Sequence, residues 1–397
     1  MKLLELKQEL GKLLHFEDTG VIDVLMAANL ATRLELGNPI WLIIIGVSSG
    51  GKSQIIRPLA TADPKFVHRV DDLTENTLIS GMRTEETSLL LKIGPKGIIA
   101  ISDLTTIFSK SEESRNSILG QLRLVYDGEL TKYFGNQKPV SWKGALGVVA
   151  GSTPTIYRHF EVVADMGERF IYYRMKPFDA DKAVEKALGN KIYGHELDAA
   201  IAKLYDQYQK AVVKKCLGSN IPPLDETSKA RILAIANFAA KMRTPIHLDY
   251  KTGLVDRVPF SEMPMRVALQ LSALARGMSL MAYNETDSYQ LSEEQLKEIE
   301  WCAYSLANEE RRSIMKTLAK YSFDDSIKTQ NVGDEIGLDT AITGRNLQQL
   351  AAIGVLIRSG GDNAKYWKIA HKRDWELVRK LEGVTGMATK EEDFGGF

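Results

Sequence analysis

Cysteine is almost absent from this chain, because Cys216 and Cys302 are the only two among 397 residues. Two cysteines form neither a disulfide framework nor a four-cysteine zinc site, so small domains stabilised in those ways are excluded. A chain without structural disulfides is typical of a reducing compartment. The composition therefore predicts a cytoplasmic protein.

Long apolar runs and an excess charge of either sign are also missing. The longest apolar stretch, Ile40 to Val47, is far too short to cross a bilayer, and the mixed-charge amino-terminal segment does not resemble a signal peptide. Basic and acidic residues balance at 51 each. We expect no membrane contact, and any nucleic-acid contact must come from local basic patches.

Apolar periodicity divides the chain into five predicted segments. Strands alternate with helices in the second segment, which favours an α/β fold with a parallel sheet. The predicted segments are a helical lead-in (1–37), an α/β core (38–178), a helical segment (179–300), three helices with a β-hairpin (301–372), and a final helix with an acidic tail (373–397).

A glycine-rich segment follows the most apolar predicted strand. Residues 46–53 read Gly-Val-Ser-Ser-Gly-Gly-Lys-Ser and fit G-x-x-x-x-G-K-[ST], a phosphate-binding loop whose backbone N–H groups and helix dipole attract anions. Lys52 is expected to reach the β- and γ-phosphates, and Ser53 to bind Mg²⁺. The pattern predicts ATP and Mg²⁺ as cofactors, with contacts from Gly46, Ser49, Gly50, Gly51, Lys52, Ser53 and Gln54.

An acid ends the next buried strand of the predicted sheet. Asp103 follows Gly97 to Ser102, so we expect it to act as a second Mg²⁺ ligand, directly or through water. Leu104 follows it, where hydrolytic enzymes of this kind often have a glutamate that activates water. Either Ser102 and Asp103 take the metal and catalytic positions, or the base comes from Glu112, Glu113, Asp127 or Glu129.

Further polar residues are candidates for contacts to the γ-phosphate. Thr153 follows Ser152 at the end of a later strand and could sense the γ-phosphate; the alternative is a simple strand-end cap. Arg169 could reach the nucleotide of a neighbouring subunit as an arginine finger, or form a salt bridge. Arg231 and Arg266 each begin a helix, and either could contact bound nucleotide; the sequence does not choose between them.

Two segments have the composition of DNA-binding surfaces. Residues 127–144 predict a hairpin with its turn at Gly135-Asn136, with the basic side chains Lys132, Lys138 and Lys143 between Tyr133, Phe134 and Trp142. Residues 301–372 predict a winged helix-turn-helix, with Asp339 capping a third helix and DNA contacts from Arg345, Asn346, Arg358 and Lys365. An ordinary surface hairpin and a protein-binding winged helix are the respective alternatives.

The order of these elements resembles the AAA+ ATPases, and within them the minichromosome-maintenance and superfamily III replicative helicases of phages and mobile elements. The resemblance runs from the glycine-rich loop through Asp103, the basic hairpin, Ser152-Thr153 and Gly167-Glu168-Arg169-Phe170 to the winged helix. It implies a hexameric ring with nucleotide between subunits, Arg169 acting on the neighbour, and Lys138 contacting DNA in the central channel. Residues 38–178 would be the ATPase core and residues 179–300 its lid.

Three functions remain open from the sequence. The first is a ring-forming DNA helicase that hydrolyses ATP. The second is an ATP-switched helicase loader or DNA-binding regulator without translocation, which the missing glutamate after Asp103 favours. The third is a signalling or defence ATPase whose winged helix binds protein. The acidic tail ending in Phe397 resembles peptides that recruit replication partners; the alternative is a disordered terminus.

Overall fold

The computed structural model describes residues 1–388 except 16, 82–86, 136–137, 160–168, 247–248, 250–254, 256–258, 260, 262 and 362–363. Its contacts divide the chain into two units. The first comprises Met1–Leu233 and Met265–Ser305, and the second comprises Ala234–Pro264 and Leu306–Phe397. The five-segment division stays a prediction. Among the described residues, no helix combines the length and the apolar character needed to cross a membrane.

A parallel sheet forms the centre of the first unit. The strands of this unit are β1 (Trp41–Ile45), β2 (Val67–Val70), β3 (Lys96–Ile101), β4 (Glu129–Lys132), β5 (Val140–Lys143), β6 (Ala145–Ser152) and β7 (Ile171–Arg174). Five of them pair in the order β2-β3-β6-β1-β7, all parallel. Every residue of β1 is buried, as expected for an apolar strand with a neighbour on each side in a sheet covered on both faces.

The helices that lie in the first unit, or that begin there in the case of α9, are α1 (Leu3–Leu13), α2 (Gly20–Arg33), α3 (Lys52–Ala62), α4 (Leu89–Ile93), α5 (Thr105–Phe108), α6 (Glu112–Tyr126), α7 (Ala180–Gly189), α8 (Gly194–Cys216), α9 (Glu226–Met242), α10 (Met265–Thr286) and α11 (Glu293–Tyr304). Residues 20–31 of α2 are all buried, so this helix is a core element. It approaches α10 so closely that a Cβ on Gly277 would lie 2.3 Å from the carbonyl oxygen of Ala27.

A two-stranded hairpin stands apart from the central sheet. Strands β4 and β5 pair antiparallel from Glu129–Lys143 to Lys132–Val140, which confirms the hairpin predicted for residues 127–144. Gly135 has a φ of +51°, in the region that glycine tolerates best. The rest of the predicted turn, Asn136, lies outside the described residues.

The second unit contains a helical cluster with a small antiparallel sheet. Its elements are α12 (Glu309–Ala319), β8 (Ile327–Lys328), α13 (Thr329–Ile336), α14 (Thr340–Ala352), β9 (Leu356–Ser359), β10 (Tyr366–Ile369) and α15 (Lys372–Glu382). The strand order is β8-β10-β9. Gly337 ends α13 with a φ of +71°, and the carboxylate of Asp339 accepts a 2.8 Å hydrogen bond from the Ala341 amide at the start of α14.

The predicted α/β class with a parallel sheet is confirmed. The finer assignment, an AAA+ core with a helical lid and a winged helix-turn-helix, stays a prediction. Part of the segment expected to carry the arginine finger, residues 167–168, lies outside the described residues, as do Asp362 and Asn363 of the predicted wing and the tail ending in Phe397.

Candidate functional site

The glycine-rich loop leaves the carboxyl end of β1 and leads directly into α3. Its backbone needs glycine at specific places: Gly51 caps α3 with a φ of +81°, and a Cβ on Gly50 would lie 2.9 Å from the carbonyl oxygen of Val47. Ser49 also takes a positive φ, +60°. The loop therefore bends back over the amino-terminal end of α3, where unpaired backbone N–H groups and the helix dipole favour an anion.

Lys52 lies inside this loop. Its ammonium donates hydrogen bonds to the carbonyl oxygens of Gly46 and Val47, at 2.8 and 2.6 Å. Burial lowers the pKa of Lys52, while the nearby charge of Asp103 raises it. A desolvated cation at a helix amino terminus fits a phosphate-binding role, because opposite charge is worth more there than in open water.

The predicted polar strand ends meet at the same edge of the sheet as the loop. Ile45 pairs with Ser152, and Ile101 pairs with Ala150, so Asp103 lies about level with the end of β1. The intervening strand β6 brings Ser152 and Thr153 between the loop and the acid. The Thr153 hydroxyl lies 2.5 Å from that of Thr155.

Asp103 is exposed, and its carboxylate is hydrogen-bonded to a residue of its own segment. Its Oδ1 accepts hydrogen bonds from the amide and the hydroxyl of Thr105, at 2.9 and 2.6 Å, at the start of α5. Beside it, the hydroxyl oxygen of Ser102 is buried without a hydrogen-bond partner in the described structure. Both residues offer oxygen atoms, the ligand type that Mg²⁺ prefers.

A cleft that the sequence did not predict opens beside the loop. It has a volume of about 360 Å³ and is lined by the loop, the end of α1, Phe178 and one side of α7. Apolar side chains dominate its outer wall: Leu13, Leu14, Phe178, Ala183, Val184 and Ala187. The Asn190 amide donates a 2.7 Å hydrogen bond to the Leu13 carbonyl, which ties the end of α7 to the end of α1.

Arg169 is not available at the surface for a neighbouring subunit. Only 7% of the residue is exposed, its Nη2 donates a 2.8 Å hydrogen bond to Asp127, and its guanidinium lies 5.6 Å from the Tyr126 ring centre. It precedes β7, so it lies at the amino edge of the sheet, opposite the loop. This geometry corresponds to the salt-bridge alternative and disfavours the arginine finger.

Neither candidate lid arginine lies among the residues that line the cleft. Arg231 is held by both carboxylates of Glu293 and Glu300, with Nε donating to Glu300 at 2.7 Å and Nη2 to Glu293 at 3.0 Å. Its expected nucleotide contact is therefore disfavoured. The positive charge of Arg266 opposes the rise that burial causes in the pKa of Tyr126, so Arg266 lies near Tyr126. Tyr126 packs on Trp41, the first residue of β1, which places Arg266 near the amino edge of the sheet.

Arg174 is an arginine that sequence reasoning missed at the loop edge. It pairs with Ile45 in the sheet, and its guanidinium lies 4.8 Å from the ring centre of Tyr157. The next residue, Met175, donates a 2.8 Å backbone hydrogen bond to Ile45, so the chain after β7 runs along the loop. The signal that could have identified Arg174 is its position at the carboxyl end of β7, the strand that pairs with β1.

Three of the hairpin side chains predicted to bind DNA already interact with other residues of the chain. Lys132 donates to the carbonyl oxygens of Glu75 and Ile79, at 2.6 and 3.2 Å, and burial lowers its pKa. Lys143 forms a 3.2 Å ion pair with Glu129. Trp142 is buried and donates to the Gly94 carbonyl at 2.7 Å, so it cannot stack on a base. Tyr133, 78% exposed, and Lys138 remain at the surface.

Two of the four DNA contacts predicted in the second unit are fully exposed on its surface. Arg345 on α14 and Arg358 on β9 are exposed, while Asn346 and Lys365 are half-buried. Thr343, on the same helix as Arg345, is fully buried. It points inward because it packs against Gly333 of α13, where a Cβ would lie 3.1 Å from its hydroxyl oxygen.

Comparisons with known proteins add no assignment. No protein-family model matches the chain, and no curated protein sequence matches it at a significant level. In the part of the chain that the structure describes, no group of three or more His, Cys, Asp or Glu residues is placed to hold a metal ion. A metal at this site would accordingly be held mainly by oxygen atoms of hydroxyls, water and phosphate.

Proposed function

We propose that this chain is an ATP-hydrolysing, DNA-binding protein of the AAA+ type that works as a ring. One observation carries the proposal: the loop of residues 46–53 curls around the Lys52 ammonium at the strand edge that also holds Asp103 and Thr153. Cation, acid and hydroxyl are the groups that phosphoryl transfer needs, since its catalysis is mostly positioning and charge stabilisation.

The cleft supports a nucleotide as the ligand. Its volume of about 360 Å³ lies in the range of small-molecule sites, and its apolar wall adjoins the phosphate loop. Phosphates would lie on the loop, and the base would pack against Phe178 and the apolar face of α7. Mg²⁺ bound by Ser53 would neutralise charge on the phosphate oxygens, while Lys52 orients them.

Substitution of Lys52 tests nucleotide binding. Lys52→Ala should weaken the binding of a fluorescent ATP analogue by about 50-fold, because a charge-assisted contact to phosphate contributes on the order of 2 to 3 kcal/mol. Lys210→Ala is the matched control, since this exposed lysine on α8 forms a 2.7 Å ion pair with Asp206 in its own helix and lies outside the cleft lining. Equal affinity of the Lys52 variant and the wild type would overturn the nucleotide site.

A second candidate function is an ATP-switched loader or regulator that binds DNA without translocating. The anchoring of Lys132 and Trp142 favours it, because a hairpin tied to residues 75–79 and 94 has little freedom to move along DNA. The two candidates differ in strand displacement. A motor separates strands at a rate that follows ATP turnover, whereas a switch changes only its DNA affinity between ATP and ADP.

The winged helix proposed for the second unit supplies a direct DNA test. Arg345→Ala should weaken DNA binding and lower the salt slope of log K by about one, because one phosphate contact is lost. Lys372→Ala removes an exposed charge from α15 and serves as the control. Absence of salt-dependent DNA binding by the wild type at low salt would favour a protein-binding winged helix.

A further inference from the structure

The two residues that end β3 lie on different faces of the central sheet. In β6, a Cβ on Gly147 would lie 3.2 Å from Ile98 of β3, and a Cβ on Gly151 would lie 3.3 Å from Ile56 of α3. Gly147 and Gly151 are four residues apart, so they face the same side, and Ile98 shares it. Continuing the alternation to Ser102 places this residue on the face covered by α3.

Asp103 belongs to the opposite face. Its carboxylate accepts both hydrogen bonds from Thr105, the first residue of α5, and α5 packs on the 3-10 helix Pro154–His159 that follows Thr153. The carboxylate is exposed, whereas the Ser102 hydroxyl oxygen is buried without a hydrogen-bond partner in the described structure. Neighbouring residues thus point one hydroxyl toward α3 and one carboxylate toward α5.

The first turn of α3 carries Lys52 and Ser53. The Ser53 hydroxyl that would hold a metal is therefore on the side that Ser102 faces. Mg²⁺ in such sites keeps several water ligands, so a neighbouring hydroxyl can hold its water shell without being a carboxylate. A base that activates water has to approach the γ-phosphate from outside this shell, and the exposed carboxylate at the end of β3, on the face opposite Ser102, is placed to do so.

We infer that Ser102 orders the water shell of Mg²⁺ beside Ser53, and that Asp103 is the general base of hydrolysis. The inference rests on the proposed ATPase function. The oxygen of water bonds to the γ-phosphorus while the bond from that phosphorus to the bridging oxygen breaks. The electron pair stays on the β-phosphate of ADP, and the proton of the attacking water passes to Asp103. The glutamate missing after Asp103 is then not needed, because the acid already occupies the base position.

A Mg²⁺ titration of nucleotide affinity separates the two roles without relying on activity. With a fluorescent ATP analogue, Asp103→Asn should keep the wild-type Mg²⁺ dependence within about twofold while hydrolysis falls by about 100-fold or more. Ser102→Ala should need several-fold more Mg²⁺ for the same gain in affinity. Loss of the Mg²⁺ dependence in Asp103→Asn, with Ser102→Ala unchanged, would overturn the assignment.

The same experiment distinguishes this inference from the proposed function. If Lys52→Ala binds the analogue as tightly as the wild type, the nucleotide site itself is refuted. If Lys52→Ala fails to bind and the other two variants show the reversed pattern, only the division of roles is refuted. Asp103 is exposed, so Asp103→Asn should fold normally, and its Mg²⁺ dependence alone decides the question even if Ser102→Ala is unstable.

Discussion

Arginine side chains with an expected role in nucleotide chemistry are held instead by carboxylates of the same chain. For Arg169, the buried guanidinium pairs with Asp127, which is itself half exposed. Arg169→Ala should lower the free energy of unfolding by about 2 kcal/mol, between the values for surface and buried pairs. Chemical denaturation measures this, with Arg69→Ala, whose side chain is 43% exposed, as the control.

The arginine-finger prediction gives the opposite result for the same variant. A finger acting on a neighbouring subunit would leave the unfolding free energy unchanged and abolish ATP hydrolysis. Mixing Arg169→Ala with Lys52→Ala would then restore part of the activity, because intact half-sites would form between the two variants. Recovery of that kind would refute the structural role of Arg169.

Asp23 is a buried carboxylate whose protonation couples to folding. Burial raises its pKa from 3.8 to about 6, although Lys7 opposes this at 2.6 Å. Because the folded state holds the proton more tightly, its stabilising contribution is complete below the unfolded pKa and is lost as pH rises through about 6. The loss is on the order of 3 kcal/mol.

The variant Asp23→Asn isolates this contribution. It cannot titrate, so the unfolding free energy of the wild type relative to the variant should fall between about pH 4 and pH 7. Denaturation of both proteins across that range measures the difference. A constant or rising difference would show that Lys7, and not burial, controls Asp23.

Local spacing explains which residues of the site could be predicted. Lys52 and Asp103 are placed by motifs a few residues long, each attached to a strand whose apolar composition is plain in the sequence. Arg169 finds its partner 42 residues away, and Arg231 finds Glu300 69 residues away. Nothing in the local sequence reports such distant pairing, so arginines that begin a strand or helix resemble ligand contacts.

At the scale of elements, two lysines of the β4–β5 hairpin differ in their exposure. Lys132 is fixed to the segment around Glu75, whereas Lys138 lies exposed beyond it. Lys138→Ala should weaken DNA binding and lower the salt slope by about one. Lys132→Ala should leave that slope unchanged and instead speed hydrogen exchange in residues 75–79 and 129–132. An equal fall in slope for both variants would show that Lys132 also contacts phosphate.

Helices and strands were predicted correctly where the residues that define them lie within one short segment of the sequence. The turn at Gly135 and the cap at Asp339 each identified an element that the structure contains. Strand β8 was missed because two residues carry no periodicity. The cleft was missed for another reason: its walls come from α1, the loop and α7, and only the fold brings these segments together.

For the whole molecule, the surface beside the cleft indicates how copies of the chain would associate. Helix α7 has no buried residue, and Val184 and Leu188 are 58% and 79% exposed, one turn apart, followed by Tyr193 at 61%. Val184 also lines the cleft. Exposed apolar clusters commonly mark interaction sites, so in the proposed ring a second copy would cover this surface next to the nucleotide.

Assembly should therefore depend on both nucleotide and α7. With Mg²⁺ and a non-hydrolysable ATP analogue, the particle mass should rise from 44.2 kDa to several times that value. Leu188→Asp should still bind the analogue but remain a monomer, because a carboxylate in an apolar contact costs several kcal/mol. Leu217→Asp is the matched control, since Leu217 is 80% exposed at the far end of α8 and lies outside the cleft lining. If the wild type stays monomeric with analogue and DNA, the ring is refuted, and the cleft must complete its chemistry within one chain.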